Sequence, residues 1–242
     1  MFRKIAILIV AVLIPSVAAV AADPIPDAVL ATGNRLISDF SASNVKASPV
    51  SGLYEIIVGP RLLYISADGR YIIRGDVIDI DRGENVSESA RKRVRIDAVN
   101  DLGEDGMVVF APQGVKSTIT VFTDVTCPYC AKLHNEVGQL NKAGIKVRYL
   151  AFPRAGVPSA AYDQMVSVWC ADDPQKAMTD AKAGRPVDPK RCDNPVAEHY
   201  QMGQLVGVSG TPTIILEDGS IIGGYVPAKE LIGYAQQARV DN

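Results

Sequence analysis

These 242 residues hold only two histidines and four cysteines, and 25 basic side chains are nearly balanced by 27 acidic ones. Two scattered histidines do not build a histidine-rich metal centre, and a net charge of -2 is a poor match to a polyphosphate backbone. The one basic cluster, Arg91-Lys92-Arg93 with Arg95, is short and lies among Glu84, Glu88 and Asp97. It reads as the solvated face of a helix, and no nucleic-acid partner is expected. Beyond residue 22 no apolar run reaches the roughly 20 residues that a membrane-spanning helix needs.

The long apolar run that does exist is at the start. Arg3 and Lys4 precede an apolar stretch over residues 5–20, and the small residues Ala18, Ala19, Ala21 and Ala22 close it. A charged start, an apolar middle and an A-x-A-like end predict a cleavable export signal over residues 1–22. A retained anchor is the competing reading, but the stretch falls short of the roughly 20 residues of a span and Pro15 interrupts it. Cleavage follows Ala21 or Ala22 and leaves a soluble protein with a net charge of about -4, because Arg3 and Lys4 go with the signal.

The remaining length allows two modest domains. Residues 27–40 carry helical spacing, and 53–58, 62–65 and 71–73 are short β-type runs, with Ala67-Asp68-Gly69-Arg70 supplying hairpin chemistry between the last two. This small α+β unit, residues 23–84, buries only about 60% of its unfolded surface and is marginal alone. Pairing of its edge strands with a second copy, or packing against its own chain, would relieve that; the residues alone do not choose. Asn85 with Glu88 three residues later resembles a capping box, and 86–99 then reads as a charged helix whose thin apolar stripe is Val86, Ala90, Val94 and Ala98. It makes residues 85–105 a linker.

From residue 106 to 242 the order is β (107–110), β (118–122), a C-x-x-C turn, helix (131–141), β (147–152), helical stretches over about 159–183 and 195–206, strands at 213–216 and 220–223, and a last helix over 228–239. That is the βαβ…ββα order of a thioredoxin-like domain with a helical insertion, an α/β fold.

Cys127-Pro128-Tyr129-Cys130 is the candidate site. At a helix mouth Cys127 meets unpaired N–H groups and the positive end of the helix dipole, which favour thiolate over thiol. Cys127 is the expected nucleophile and Cys130, one turn in and shielded, the resolving thiol. Pro128 suits the first helical position. Tyr129 faces substrate at the turn or packs. A zinc site would need a second close cysteine pair, whereas Cys170 and Cys192 are 22 apart, so no metal or cofactor is expected. Cys170 and Cys192 instead suggest a structural bridge closing the insertion, the pairing that leaves 127 and 130 free to cycle. Thr211-Pro212, ahead of a β-run, completes the site if its bond is cis: the Thr211 backbone then pairs with an extended substrate strand. His134, one turn past Cys130, reads as packed or solvated ahead of a role in tuning that thiol, His199 carries no functional argument, and Asp124 reads as holding its loop ahead of relaying protons.

Together Phe122-Thr123-Asp124-Val125-Thr126-Cys127-Pro128-Tyr129-Cys130 and Gly210-Thr211-Pro212-Thr213 resemble the DsbC/DsbG family of periplasmic disulfide isomerases, and the likeness covers the whole chain after the signal. The resemblance implies that residues 23–84 are a dimerisation domain, that the homodimer is V-shaped with a cleft for misfolded exported proteins carrying wrong disulfides, and that a DsbD-like membrane reductase keeps the sites reduced. Pro128 stands where the DsbC branch typically has glycine, as in the DsbG branch, while Cys170 and Cys192 resemble the second disulfide of DsbC. The whole-domain feature outweighs the single residue. Thioredoxin's buried carboxylate, six residues before its first cysteine, is replaced here by Val121. The expected activity is rearrangement of non-native disulfides. The alternatives are a DsbG-like reductase that protects single cysteines from sulfenylation, a net dithiol oxidase and a non-enzymatic holdase chaperone.

Overall fold

The computed structural model describes residues 24–240. The expected export signal at 1–22 lies outside them. Helix α1 (Asp27–Leu36) is followed by strands β1 (Val45–Ala47), β2 (Leu53–Val58), β3 (Arg61–Ser66) and β4 (Ile72–Ile73) in an antiparallel meander. The helix stops short of the expected residue 40. Ile37 turns extended, Asp39 takes a positive φ of 57°, and the Phe40 ring folds back against Gly33, where a Cβ would overlap it. Strand β1 escapes a pattern search because only Val45 of its three residues is buried. Val29, Phe40, Val45, Ile56 and Ile65 form this unit's own core.

A two-stranded ribbon, β5 (Ile78–Asp79) and β6 (Glu84–Asn85), leads into α2 (Val86–Asp101). The Asn85 side chain accepts the Glu88 N–H at 2.9 Å, as a capping residue should, but the Glu88 carboxylate does not turn back. It reaches Arg95 at 3.2 Å instead. The expected solvated basic face holds for Arg93, which is exposed, and fails for Arg95. Arg95 is 7% exposed and donates to the Gly219 carbonyl, Lys92 pairs with Asp218 at 3.0 Å, and Arg91 pairs with Asp76. Lys92 and Arg95 dock α2 onto a turn more than 120 residues away in the chain, while Arg91 ties it to the segment just before it. Gly219, with φ 81°, is required there, because a Cβ would overlap the Lys92 carbonyl.

The second unit runs β7 (Val108–Phe110), β8 (Ser117–Thr123), α3 (Pro128–Asn135), α4 (Val137–Lys142), β9 (Ile145–Ala151), α5 (Ala160–Trp169), α6 (Pro174–Lys182), α7 (Val196–Val206), β10 (Thr213–Ile215), β11 (Ile221–Gly223) and α8 (Ala228–Val240). Its sheet has the order β11-β10-β8-β9-β7, in which only the central β8–β9 pair is parallel. Those two strands are buried along almost their whole length, as strands covered on both faces must be. Two helices expected as continuous are broken. The stretch 131–141 divides at Glu136, whose carboxylate accepts the Tyr225 hydroxyl and the Ala228 N–H at 2.5 Å each and so caps α8. The stretch 159–183 divides where Asp173 accepts the Lys176 N–H at 2.9 Å and Pro174 opens α6. No helix among the described residues is long and apolar enough to cross a membrane.

Candidate active site

Strand β8 ends at Thr123, and the four residues that follow carry the chain to the mouth of α3. Asp124 holds that turn. One of its oxygens accepts the Thr126 N–H at 2.8 Å and the Thr126 hydroxyl at 2.7 Å, and the other accepts the Arg154 N–H at 2.9 Å and Nε at 3.1 Å. Burial raises the Asp124 carboxyl, but these donors outweigh it and hold the group below the usual carboxylate range.

Cys127 is the N-cap of α3, Pro128 occupies its first turn, and the Cys130 N–H donates to Cys127 Sγ at 3.4 Å. Across the site the Thr211–Pro212 peptide is cis, and Cys127 Sγ donates to the Thr211 carbonyl at 3.2 Å. The two cysteines are unpaired thiols, and their environments differ. Burial pushes the Cys127 thiol up, yet the Thr211 hydroxyl, the Cys130 amide and the Arg154 guanidinium together bring it below its ordinary value. The Thr211 hydroxyl is buried and has no hydrogen-bond partner among the described residues. It is free to donate to the sulfur once that atom becomes an anion. Cys130 lies deeper, and burial leaves its thiol above the ordinary value despite the nearby Lys182 charge, the Thr123 hydroxyl and the Asp124 backbone.

Cys127, Cys130, Thr211 and Pro212 therefore converge. Tyr129 stands apart at 62% exposed on the outer side of the turn. Cys127 itself is only 2% exposed, less open than its place at a helix mouth implied. It sits at the head of a groove of about 750 Å³ whose walls include Val125, Pro128, Ala131, Lys182, Pro186 and Val187. Cys170 and Cys192 are joined in a disulfide with Cα atoms 5.7 Å apart, closing the segment that carries α6 and the far wall of the groove.

Both histidines are structural in their surroundings. His134 lies between the Tyr149 hydroxyl and the Thr179 hydroxyl, each at 3.1 Å, and His199 accepts the Ala151 N–H at 3.4 Å. Burial pushes each down to about 4, so both are neutral at pH 7. Lys182 and Arg154 are the site residues that sequence reasoning missed. Lys182 stands on α6 among Lys176, Asp180 and Arg185 and looks like one more surface charge. Only its spacing of four from the buried Met178 hints at an inward face. Its Nζ donates to Thr123 Oγ1 at 2.6 Å and to the Asp124 carbonyl at 2.7 Å, and burial pushes it down to about 8. Among the described residues no group of three or more His, Cys, Asp or Glu side chains is placed to hold a metal ion.

Comparison with known proteins joins these two units. A thioredoxin-like domain family matches residues 104–239, and the family described as the disulfide bond isomerase protein N-terminal domain matches residues 20–88. The thiol:disulfide interchange protein DsbC of Escherichia coli (strain K12) is 42% identical over 190 residues, 78% of this chain and 79% of that one. DsbC of Haemophilus influenzae is 36% identical over 200 residues, 82% of this chain and 86% of that one. Among solved structures, a disulfide interchange protein from Neisseria gonorrhoeae aligns at a TM-score of 0.50 and 32% identity, covering 55% of this chain and 98% of its own.

Proposed function

We propose, from the premise that this chain belongs to the DsbC family of thiol:disulfide interchange proteins and is an enzyme of the oxidoreductase type, that Cys127 is its nucleophile and Cys130 its resolving thiol. The observation that carries this is the asymmetry of the pair: one sulfur caps a helix and has its thiol lowered, the other is buried and has its thiol raised. The Cys127 thiolate attacks one sulfur of a wrong disulfide, the substrate S–S bond breaks, and a substrate thiolate leaves. A substrate thiolate then attacks the substrate sulfur of the mixed disulfide and expels Cys127, so cysteines are re-paired with no net change in oxidation state. Where this stalls, Cys130 attacks Cys127 Sγ, the substrate sulfur leaves as a thiolate, and the site is left oxidised by two electrons.

The Thr211 backbone beside Pro212 is the strand partner we assign to extended substrate, and Tyr129 a contact at its edge. The Cys170–Cys192 bridge is structural. We assign residues 23–84 to dimerisation, 85–105 to the linker and 106–242 to catalysis. Tyr71, Ile72 and Ile73 at the β4 edge are 56%, 43% and 46% exposed, which supports edge pairing of a homodimer there. The proposed setting is the periplasm, reached through the signal at 1–22, with misfolded exported proteins as substrates and a DsbD-like membrane reductase returning the site to the dithiol.

A scrambled-disulfide refolding assay tests the assignment. Cys127→Ser should abolish rearrangement, and Cys130→Ser should accumulate covalent complexes with substrate. A Cys127→Ser protein that still rearranges disulfides refutes it.

A further inference from the structure

Lys182 is a buried cation whose direct partners are neutral. Its Nζ donates to a hydroxyl and a carbonyl, and the nearby Asp124 carboxylate already has both oxygens engaged by Thr126 and Arg154. Burying an ammonium without an anion is costly, and such a group ordinarily neutralises or finds a partner. The Thr123 hydroxyl that holds Lys182 also faces Cys130, which meets the Asp124 backbone from its donor side while Lys182 takes the carbonyl, and the Lys182 charge acts on Cys130. Val121, buried on β8 six residues before Cys127, supplies no acid there. The charge deep in this site is therefore positive, and the group beside it that can become an anion is the resolving sulfur.

We propose that Lys182 is a positioning residue for the resolving step: its ammonium, held against Thr123 and the Asp124 carbonyl, favours Cys130 as a thiolate at the moment Cys130 must attack Cys127 Sγ. This rests on the assignment of Cys127 as nucleophile and Cys130 as resolving thiol. In the step, the Cys130 Sγ–Cys127 Sγ bond forms and the bond from Cys127 Sγ to the substrate sulfur breaks. The substrate sulfur takes the electron pair and, in the end, the proton that Cys130 gave up. In this step Cys130 passes from thiolate to disulfide sulfur while the departing substrate sulfur passes from disulfide to thiolate; over attack and release together the Cys127–Cys130 pair is oxidised by two electrons and the substrate disulfide reduced by two. Without the cation, the buried Cys130 thiol, already raised by burial, would ionise rarely and covalent complexes would persist. The charged and titratable groups around Lys182 are Cys130 and His134 on α3, Cys127 at its cap, Asp124 after β8 and Arg154 after β9. His134 is neutral at pH 7 and Asp124 is paired with Arg154, which leaves the sulfurs to respond to the lysine, Cys130 more strongly than Cys127.

The test is the pH dependence of release. Glutathione is loaded on Cys127 of the full chain as a mixed disulfide, and its expulsion by Cys130 is followed in rapid-mixing experiments. Lys182→Met and Lys182→Gln should each slow release about tenfold or more at pH 7 and move its midpoint up by about one pH unit or more. Alkylation of Cys127 in a Cys130→Ser background should change by less than about threefold. Lys182→Gln keeps N–H donors for Thr123 and Asp124, so if it matches the unsubstituted protein in rate and midpoint, the role is only structural and the proposal is overturned. A measurement on the unsubstituted chain guards against misfolded variants: nitrogen-labelled lysine NMR should show Lys182 titrating at higher pH in the dithiol than in the disulfide form, since coupling between the two groups is reciprocal. Identical titration in the two forms overturns the proposal. Should Cys130→Ser fail to trap substrate at all, the cysteine assignment itself falls; if trapping succeeds and release ignores Lys182, only this inference falls.

Discussion

Replacing Cys170 and Cys192 together by alanine removes the bridge over residues 171–191 without leaving a stray thiol to attack the active pair. The cysteines are 22 apart in sequence, and a loop of that size loses about 3 kcal/mol of unfolded-state entropy when closed. The double variant should therefore unfold about 3 kcal/mol more easily, equivalent to a fall in Tm of roughly 6–12 °C for a chain of this length. The loss should also be local. The bridge ties down the segment that carries α6, hence Lys182 and one wall of the groove, so amide exchange should rise over 171–191 before it rises in β8 or β9. Urea melts with and without the bridge, paired with exchange mapping, read both effects. Stability within about 1 kcal/mol of the intact protein, together with unchanged exchange over 171–191, would refute the claim that this bridge organises the insertion.

The two buried histidines set a pH dependence. Their folded values of about 4 lie below the unfolded value of about 6.5, so unfolding takes up protons as pH falls through that window. Stability should be level above about pH 7 and fall between about pH 6 and pH 4 by up to roughly 1.4 kcal/mol per unit for each histidine, a slope that His134→Gln with His199→Gln should flatten in urea melts. Asp124 acts in the same direction at lower pH: its depressed carboxyl contributes stability above about pH 4 that is lost as pH falls through the folded value, and Asp124→Asn should cost about 1–3 kcal/mol and loosen the 124–127 turn, seen as faster proteolysis there. Gly219→Ala forces a Cβ against the Lys92 carbonyl at a positive φ, and should destabilise the docked α2 by about 2 kcal/mol or more in denaturant titration while leaving the rate of Cys127 alkylation unchanged.

Local chemistry was readable along the chain. The C-x-x-C turn after a β-run and before a helical pattern, the proline at the first helical position and the Asn85 cap are all written within a few residues of one another, because caps and helix mouths are short-range events. The alternation of β-runs and helices likewise set the order of elements, since hydrophobic period is a local property. What tertiary structure decided was which faces were buried and what met across the fold. Arg95 reads as part of a solvated face and Lys182 sits unmarked in a charged segment, yet one is buried against the Gly219 turn and the other under the active-site loop. Arg95 has a local partner in Glu88, but the carbonyl it is buried against comes from more than 120 residues away, and the partners of Lys182 from nearly 60 away, so nothing nearby in the chain marks either as buried. The same holds for the ionisation of the two sulfurs. Their spacing of three is in the sequence, but the depth of Cys130, the Thr211 carbonyl against Cys127 and the lysine beside Thr123 exist only once the sheet and the inserted helices have packed.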